Sequence, residues 1–239
     1  MSPVKNFTVK IFADGADIDS ILKLHANPLI AGFTTNPTLM RKAGIQDYEA
    51  FARKLVDAVR DRPIALEVFA DDIPEMIRQG ERIQSWGANV NVKIPITDTK
   101  GVFTGPAIRA LSKSGVRVNV TAIFTLDQVK ATLDALTPDS EAYISIFAGR
   151  IADAGVDPLP TMKEALQLMR ARSKTQLIWA SPREVFNIVQ ADAIGCHVIT
   201  VTHDFIAKLA GIGKDLTQFS LETVRMFRND AVAAAYSIG

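Results

Sequence analysis

The 239-residue chain is longer than most domains but within the range of α/β barrels, and its single cysteine, Cys196, excludes a disulfide framework or a cysteine-rich zinc site. Lys and Arg number 27 against 26 Asp and Glu, a balance that sets up no field for a polyanion, so nucleic acid is not an expected partner. No apolar run reaches the roughly 18–20 residues of a membrane span, and the opening MSPVKNFTVK has no signal-peptide core; a cytoplasmic protein without a membrane partner is expected.

Short β-branched runs alternate with helical patterns along the whole chain. Val9–Asp14 predicts a first strand and Ala16–Ala26 its helix; Leu29–Thr35 is followed by Asp47–Arg60, Ile64–Ala70 by Ile73–Trp86, and Asn89–Pro95 by Pro106–Lys113. Arg117–Phe124 is followed by Leu126–Leu136, Ala142–Ala148 by Pro160–Arg172, Gln176–Ser181 by Pro182–Ala193, and Cys196–Thr202 by Asp204–Ala210. Strict alternation implies parallel strands with right-handed crossovers, and eight units of about thirty residues predict a single-domain (β/α)8 TIM barrel over residues 1–239. An open doubly wound sheet is the alternative, but Gly211-Ile212-Gly213-Lys214 lacks the third glycine and the preceding strand of a dinucleotide fingerprint. Beyond the eighth unit, residues 214–239 read as a C-terminal helical extension over Leu216–Tyr236. Its Leu221, Val224, Phe227 and Val232 would either cover the barrel or dock on another subunit.

Parity along the strands separates an apolar from a polar face. In Asn89-Val90-Asn91-Val92-Lys93 the valines share one face, and Asn119 and Thr121 lie opposite Val118 and Val120. Glu67, Asp14 and Ser145 add polar groups near the ends of three more strands. An unpaired polar group in a barrel interior costs on the order of 1–3 kcal/mol, so this clustering predicts a polar cup where barrel enzymes hold their active sites.

Lys93 is the most informative member. A desolvated lysine loses proton affinity, and its free amine attacks a carbonyl to give a Schiff base, the electron sink for cleaving a C–C bond. The structural alternative is a lysine that snorkels out or pairs with Glu67. Glu67 and Asp14 suit proton transfer at two positions of a substrate, or ion pairing and turn capping. Asn36-Pro37 and Ser181-Pro182-Arg183-Glu184 both read as helix starts, the second with a capping box. Arg183 after the seventh strand and Arg150 after the sixth would also hold a phosphate. His25, His197 and His203 have no metal-ligand spacing, so no metal is expected, and no GxSxG elbow marks a hydrolase.

Six segments carry a family resemblance: Phe12-Ala13-Asp14, Thr34-Thr35-Asn36-Pro37-Thr38, Val92-Lys93-Ile94-Pro95, Asn119-Val120-Thr121, Ser145-Ile146-Phe147-Ala148-Gly149-Arg150 and Ala180-Ser181-Pro182-Arg183. In this order and at the predicted strand ends, the sequence resembles the transaldolase family, in particular its short-chain branch with the fructose-6-phosphate aldolases. The resemblance implies a cofactor-free enzyme acting on sugar phosphates. Lys93 would form the Schiff base with C2 of a ketose phosphate, Asp14 would take the C4 hydroxyl proton, and Glu67 and Thr121 would hold a proton-relaying water. Asn36, Asn119 and Ser145 would bind the dihydroxyacetone part, Arg150, Ser181 and Arg183 the distal phosphate, with Thr35 and Phe147 completing the substrate-binding set.

Phe147 and Glu67 resemble the transaldolase form, where aldolases carry tyrosine and glutamine, and so favour dihydroxyacetone transfer over its release. Two departures stand out: Ile146 replaces a proline, and the stretch Thr97–Pro106 is longer than the short-chain pattern. Within it Asp98, Lys100 and Thr104 would either contact an acceptor or be solvated, and the natural sugar stays open, including a ketose ending in another anion such as sulfonate. Besides transfer and release, a catalytically silent sugar-phosphate-binding barrel remains a third reading. The resemblance also implies a homo-oligomer, a pentamer or decamer, with the C-terminal helix reaching a neighbour.

Overall fold

The computed structural model describes residues 7–238. Eight strands, β1 (Lys10–Asp14), β2 (Ile30–Thr34), β3 (Ile64–Glu67), β4 (Val90–Pro95), β5 (Val118–Ile123), β6 (Ala142–Ile146), β7 (Thr175–Trp179) and β8 (Val198–Val201), close into a barrel in sequence order. Every neighbouring pair, including β8 with β1, is parallel. The eight strands anticipated by sequence are all present; seven are shortened at one or both ends, and β7 begins one residue early, at Thr175, and ends two early, at Trp179.

The surrounding helices are α1 (Ile18–His25), α2 (Pro37–Lys42), α3 (Tyr48–Ala58), α4 (Ile73–Gln84), α5 (Gly105–Lys113), α6 (Leu126–Ala135), α7 (Ala148–Asp153), α8 (Pro158–Leu168), α9 (Phe186–Ala193), α10 (His203–Lys208) and α11 (Leu216–Ala233). Most start at a side-chain cap. Asp17, Asp47, Asp72, Asp157 and Asp215 each accept a backbone N–H of the first turn, and Thr125 with Gln128 forms a full capping box over α6. Two short helices lie outside the anticipated eight: α2, whose start Asn36-Pro37 announces, and α7, which begins directly after Phe147.

One expected helix start is corrected. Ser181 caps nothing: it adopts a left-handed φ of 58°, and α9 begins only at Phe186. The capping geometry belongs instead to Asn187, whose Oδ1 accepts the N–H groups of Arg183 at 2.8 Å and Glu184 at 3.1 Å. Pro182–Val185 therefore remains a loop over the barrel mouth.

Packing divides the strand residues as parity requires. In β4, Val90, Val92 and Ile94 join the large core between barrel and helices, leaving Asn91 and Lys93 for the interior. Phe12, Ile178, Ala180 and Val198 form a separate small cluster, with Tyr143 and Phe147 packed against it. Gly32 makes room for this cluster, because a Cβ there would come within 2.7 Å of the Phe12 ring. Register sets the polar residues side by side: Asp14 opposite Thr34, Glu67 opposite Lys93, and Lys93 opposite Asn119.

The last helix, α11, does not cover the barrel's own surface. It has no buried residue, and Phe219, Val224, Phe227 and Val232 are all exposed. Among the described residues no helix is long and apolar enough to cross a membrane.

Candidate active site

A cavity of about 690 Å³ opens at the C-terminal ends of the strands. Its floor is Lys93, only 7% exposed in an interior where a lone ammonium would be costly. The Nζ donates a 2.9 Å hydrogen bond to the Thr35 carbonyl and lies 3.1 Å from Glu67 Oε2. Glu67 is fixed in turn from outside the barrel, where the Tyr48 hydroxyl at the start of α3 donates to its backbone carbonyl at 2.9 Å.

Asp14 faces the same cavity from β1. Thr34 Oγ1 donates to its Oδ1 at 2.8 Å, which leaves Thr200 Oγ1 to donate to Thr34 across 2.6 Å. Asn36 serves two masters: its Nδ2 donates to Asp14 Oδ2 at 3.1 Å, while its Oδ1 accepts Leu39 N–H at 2.9 Å and starts α2. The carboxyl is wetted only by the cavity and otherwise enclosed by protein. That burial raises its pKa above the ordinary 3.8; the Lys93 charge and the bonds from Thr34 and Asn36 oppose the rise without cancelling it.

On the other wall, Ser145 Oγ donates to Asn119 Oδ1 at 2.7 Å, and the Asn119 Nδ2 has no protein acceptor among the described residues. Thr121 Oγ1 is buried without a protein partner and lines the cavity. The β5 register shifts across it, between Val120 and Ile123, where Ala122 takes a left-handed φ of 59°. A non-glycine residue in that region costs about 1–2 kcal/mol, and Ala122 and Ser181, two of the three such residues described, both line this cavity.

The far end is cationic. Arg150 places its guanidinium 5.3 Å from the Phe147 ring, which in turn lies 5.8 Å from the Phe124 ring. Arg183 reaches the cavity from the post-β7 loop and pairs with Asp153, its Nε lying 2.9 and 3.0 Å from the two carboxylate oxygens and its Nη2 bonded to Oδ2. The loop and α7 meet so closely that a Cβ on Gly149 would fall 1.6 Å from the Ser181 carbonyl oxygen. Only glycine permits this approach.

The cavity thus gathers Lys93, Asp14, Glu67, Thr121, Asn36, Asn119, Ser145, Phe147, Arg150, Ser181 and Arg183. Thr35 is the exception. Its side chain turns away, fully buried and donating to Ala65 O at 3.1 Å, and only its carbonyl serves the site. Nor does the long β4–α5 loop reach the cavity. Thr97 bridges Phe103, Asp98 accepts the N–H groups of Lys100 and Val102, the buried Thr104 donates to Pro95 O, and Thr99 donates through its N–H and hydroxyl to Asp71, so the loop is a turn tied to the β3–α4 connection. Asn89 lies before β4, where it donates to Val59 O and Arg62 O. The histidines stay apart: His25 pairs with Asp61, His197 accepts Leu177 N–H, and His203 packs beside Gly15. Sequence reading missed Thr34, Thr200, Tyr48 and Asp153.

Because the folded pKa of Asp14 is raised, its ionisation costs folding stability. The cost is absent below the unfolded value of 3.8 and develops as pH rises through the folded one. The stability of Asp14→Asn relative to the parent, measured by urea denaturation, is therefore expected to improve between pH 3 and pH 7. A change in the opposite direction would mean that the fold favours the carboxylate.

The family model for transaldolase/fructose-6-phosphate aldolase matches residues 11–238. A "probable transaldolase" of Dehalococcoides mccartyi is 35% identical over 202 residues, covering 84% of this chain and 90% of that one. A "probable transaldolase" of Methanococcus maripaludis is 33% identical over 202 residues, covering 84% and 89%. Among solved structures, a chain of a designed cube-shaped porous protein cage matches in fold alone, with TM-score 0.55 and 13% identity over 95% of this chain and 78% of that one. From its barrel strands to its final helix, the chain belongs to the transaldolase/fructose-6-phosphate aldolase family.

Proposed function

We propose that this protein is a transaldolase, moving a dihydroxyacetone unit from a ketose phosphate such as fructose 6-phosphate or sedoheptulose 7-phosphate to an aldose phosphate through a Schiff base on Lys93. The observation that carries this reading is the Lys93 amine, buried at the floor of an open cavity with Glu67 at 3.1 Å and the Asp14 carboxyl on the facing wall.

In the proposed sequence Glu67 takes a proton from the Lys93 ammonium, and the free Nζ adds to the ketose C2. The former carbonyl oxygen gains a proton and, as carbinolamine collapses to iminium, leaves as water, with Glu67 and the unpartnered Thr121 hydroxyl handling protons. Asp14, as carboxylate, then takes the C4 hydroxyl proton. The C3–C4 electron pair moves into the iminium, which becomes a neutral enamine, and the aldose phosphate departs. An incoming aldose phosphate is attacked by the enamine carbon, and the steps reverse. The imine is itself the electron sink, so the chemistry needs no cofactor. Asn36, Asn119 and Ser145 suit the hydroxyls of the three-carbon unit, and Arg150, Ser181 and Arg183 suit the terminal phosphate.

Transfer is favoured over release by Phe147, which lends the enamine no hydroxyl from which to take a proton and is occupied beneath Arg150. Fructose 6-phosphate labelled at C1–C3 should deliver label to sedoheptulose 7-phosphate when erythrose 4-phosphate is present. Free labelled dihydroxyacetone formed at a similar rate without acceptor would instead establish the lyase. Lys93→Arg keeps the charge but not the nucleophile and should cut turnover at least ~10³-fold; wild-type binding of the sugar with no exchange of label would favour a silent sugar-phosphate-binding barrel.

The same proposal includes a homo-oligomer, pentamer or decamer, joined through α11, whose exposed apolar residues exceed what a solvated helix carries. Deleting residues 214–239 should lower the native mass by more than the deleted segment, measured by light scattering; an unchanged assembly would contradict it.

A further inference from the structure

Building on the assignment of Arg150, Ser181 and Arg183 as the anion end of the sugar site, we propose that Asp153 is a positioning residue for that end: its carboxylate locks the Arg183 guanidinium so that the remaining edge is presented to the terminal anionic group of the substrate.

The geometry is side-on. Asp153 engages Arg183 through Nε and Nη2, which leaves Nη1 and the second Nη2 hydrogen as a free fork of donors, the edge that binds a phosphate or carboxylate in bidentate fashion. The Arg183 backbone is already held, since its N–H donates to Asn187 Oδ1. What remains loose is the long side chain, and ordering it at the moment of binding would be charged against affinity. Asp153 supplies that order beforehand.

The carboxylate is in position because of a device spread over two segments. Gly149 lets α7 approach the Ser181 backbone, which brings the last residue of that helix beneath the loop carrying Arg183. Arg150 stands one turn earlier on the same helix, an i, i+3 neighbour of Asp153. Arg150 makes no salt bridge among the described residues, so one short helix supplies both a free cation and the orienting group for the second. The two partners of the pair are each about half exposed, 47% for Arg183 and 52% for Asp153. At that exposure an ion pair adds little to folding stability, so a structural role alone does not account for so complete an engagement.

Two roles for Asp153 have opposite signs. As an orienting group it tightens anion binding; as a bare negative charge near the subsite it would weaken it. Asp153→Asn is therefore expected to raise KM for fructose 6-phosphate on the order of tenfold while kcat at saturation stays within about twofold. Weakened binding of inorganic phosphate, followed by NMR titration, should accompany it at an unchanged melting temperature. Asp153→Glu, which keeps the carboxylate, should recover part of the loss. A lowered or unchanged KM and phosphate affinity in Asp153→Asn would overturn the proposal, as would a fall in kcat with KM intact. Arg183→Gln is the control on the underlying reading: if it too leaves phosphate affinity unchanged, the anion end itself is misassigned and the proposal falls with it, whereas a loss in Arg183→Gln without one in Asp153→Asn refutes Asp153 alone.

Discussion

Burial of the Lys93 ammonium is the constraint around which the open end of the barrel is organised. An ion without partners there would cost several kcal/mol, and two acceptors offset this, the Thr35 carbonyl and the Glu67 carboxylate. Asp14 adds a second enclosed carboxyl, so the cluster holds two acids against one base. The imbalance appears at Asp14, where burial raises the pKa and the Glu67 charge adds to the rise, while Lys93 and the hydrogen bonds from Thr34 and Asn36 oppose it. One acid is therefore adjacent to the amine and the other is held by hydroxyl and amide donors, so the two carboxyl groups sit in different environments.

The rest of the barrel makes this arrangement affordable. Outward-facing Val90, Val92 and Ile94 bury fully against the helices, each contributing roughly 1.5–3 kcal/mol, so the inward face of the same strand is free to carry Asn91 and Lys93. Two of the three left-handed non-glycine residues among those described lie at the rim. Ala122 and Ser181 adopt left-handed backbone conformations where β5 and β7 end, and the loops they turn bring the Thr121 hydroxyl and the Arg183 guanidinium to one cavity. The two ends of that cavity differ in kind: hydroxyls and amides around the amine, and guanidinium groups with an aromatic ring at the far wall.

Much of this was legible in the sequence because strand parity is a strong physical rule. Asp14, Glu67, Lys93, Asn119, Thr121 and Ser145 alternate with apolar residues and all reach the cavity. The same rule explains the misplacement of Thr35, whose neighbours Thr34 and Asn36 point inward and leave it to point outward. Thr34 and Thr200 gave no signal because threonine is an ordinary strand residue until its hydroxyl is seen on a carboxylate. Tyr48 was hidden because it comes from a helix and acts on a carbonyl nineteen residues away. Ser181 was misread because Ser-Pro-Arg-Glu satisfies a capping pattern locally, while Asn187 takes the N–H groups that the pattern would use. Asp153 escaped because α7 is only six residues long and carries no cap that announces it.

The account is tested most directly by reducing the protein with borohydride in the presence of fructose 6-phosphate and locating the modified residue by peptide mass spectrometry. It predicts a reduced three-carbon adduct on the ε-nitrogen of Lys93, absent without the sugar. Modification at another lysine, or none under conditions of active turnover, would contradict it.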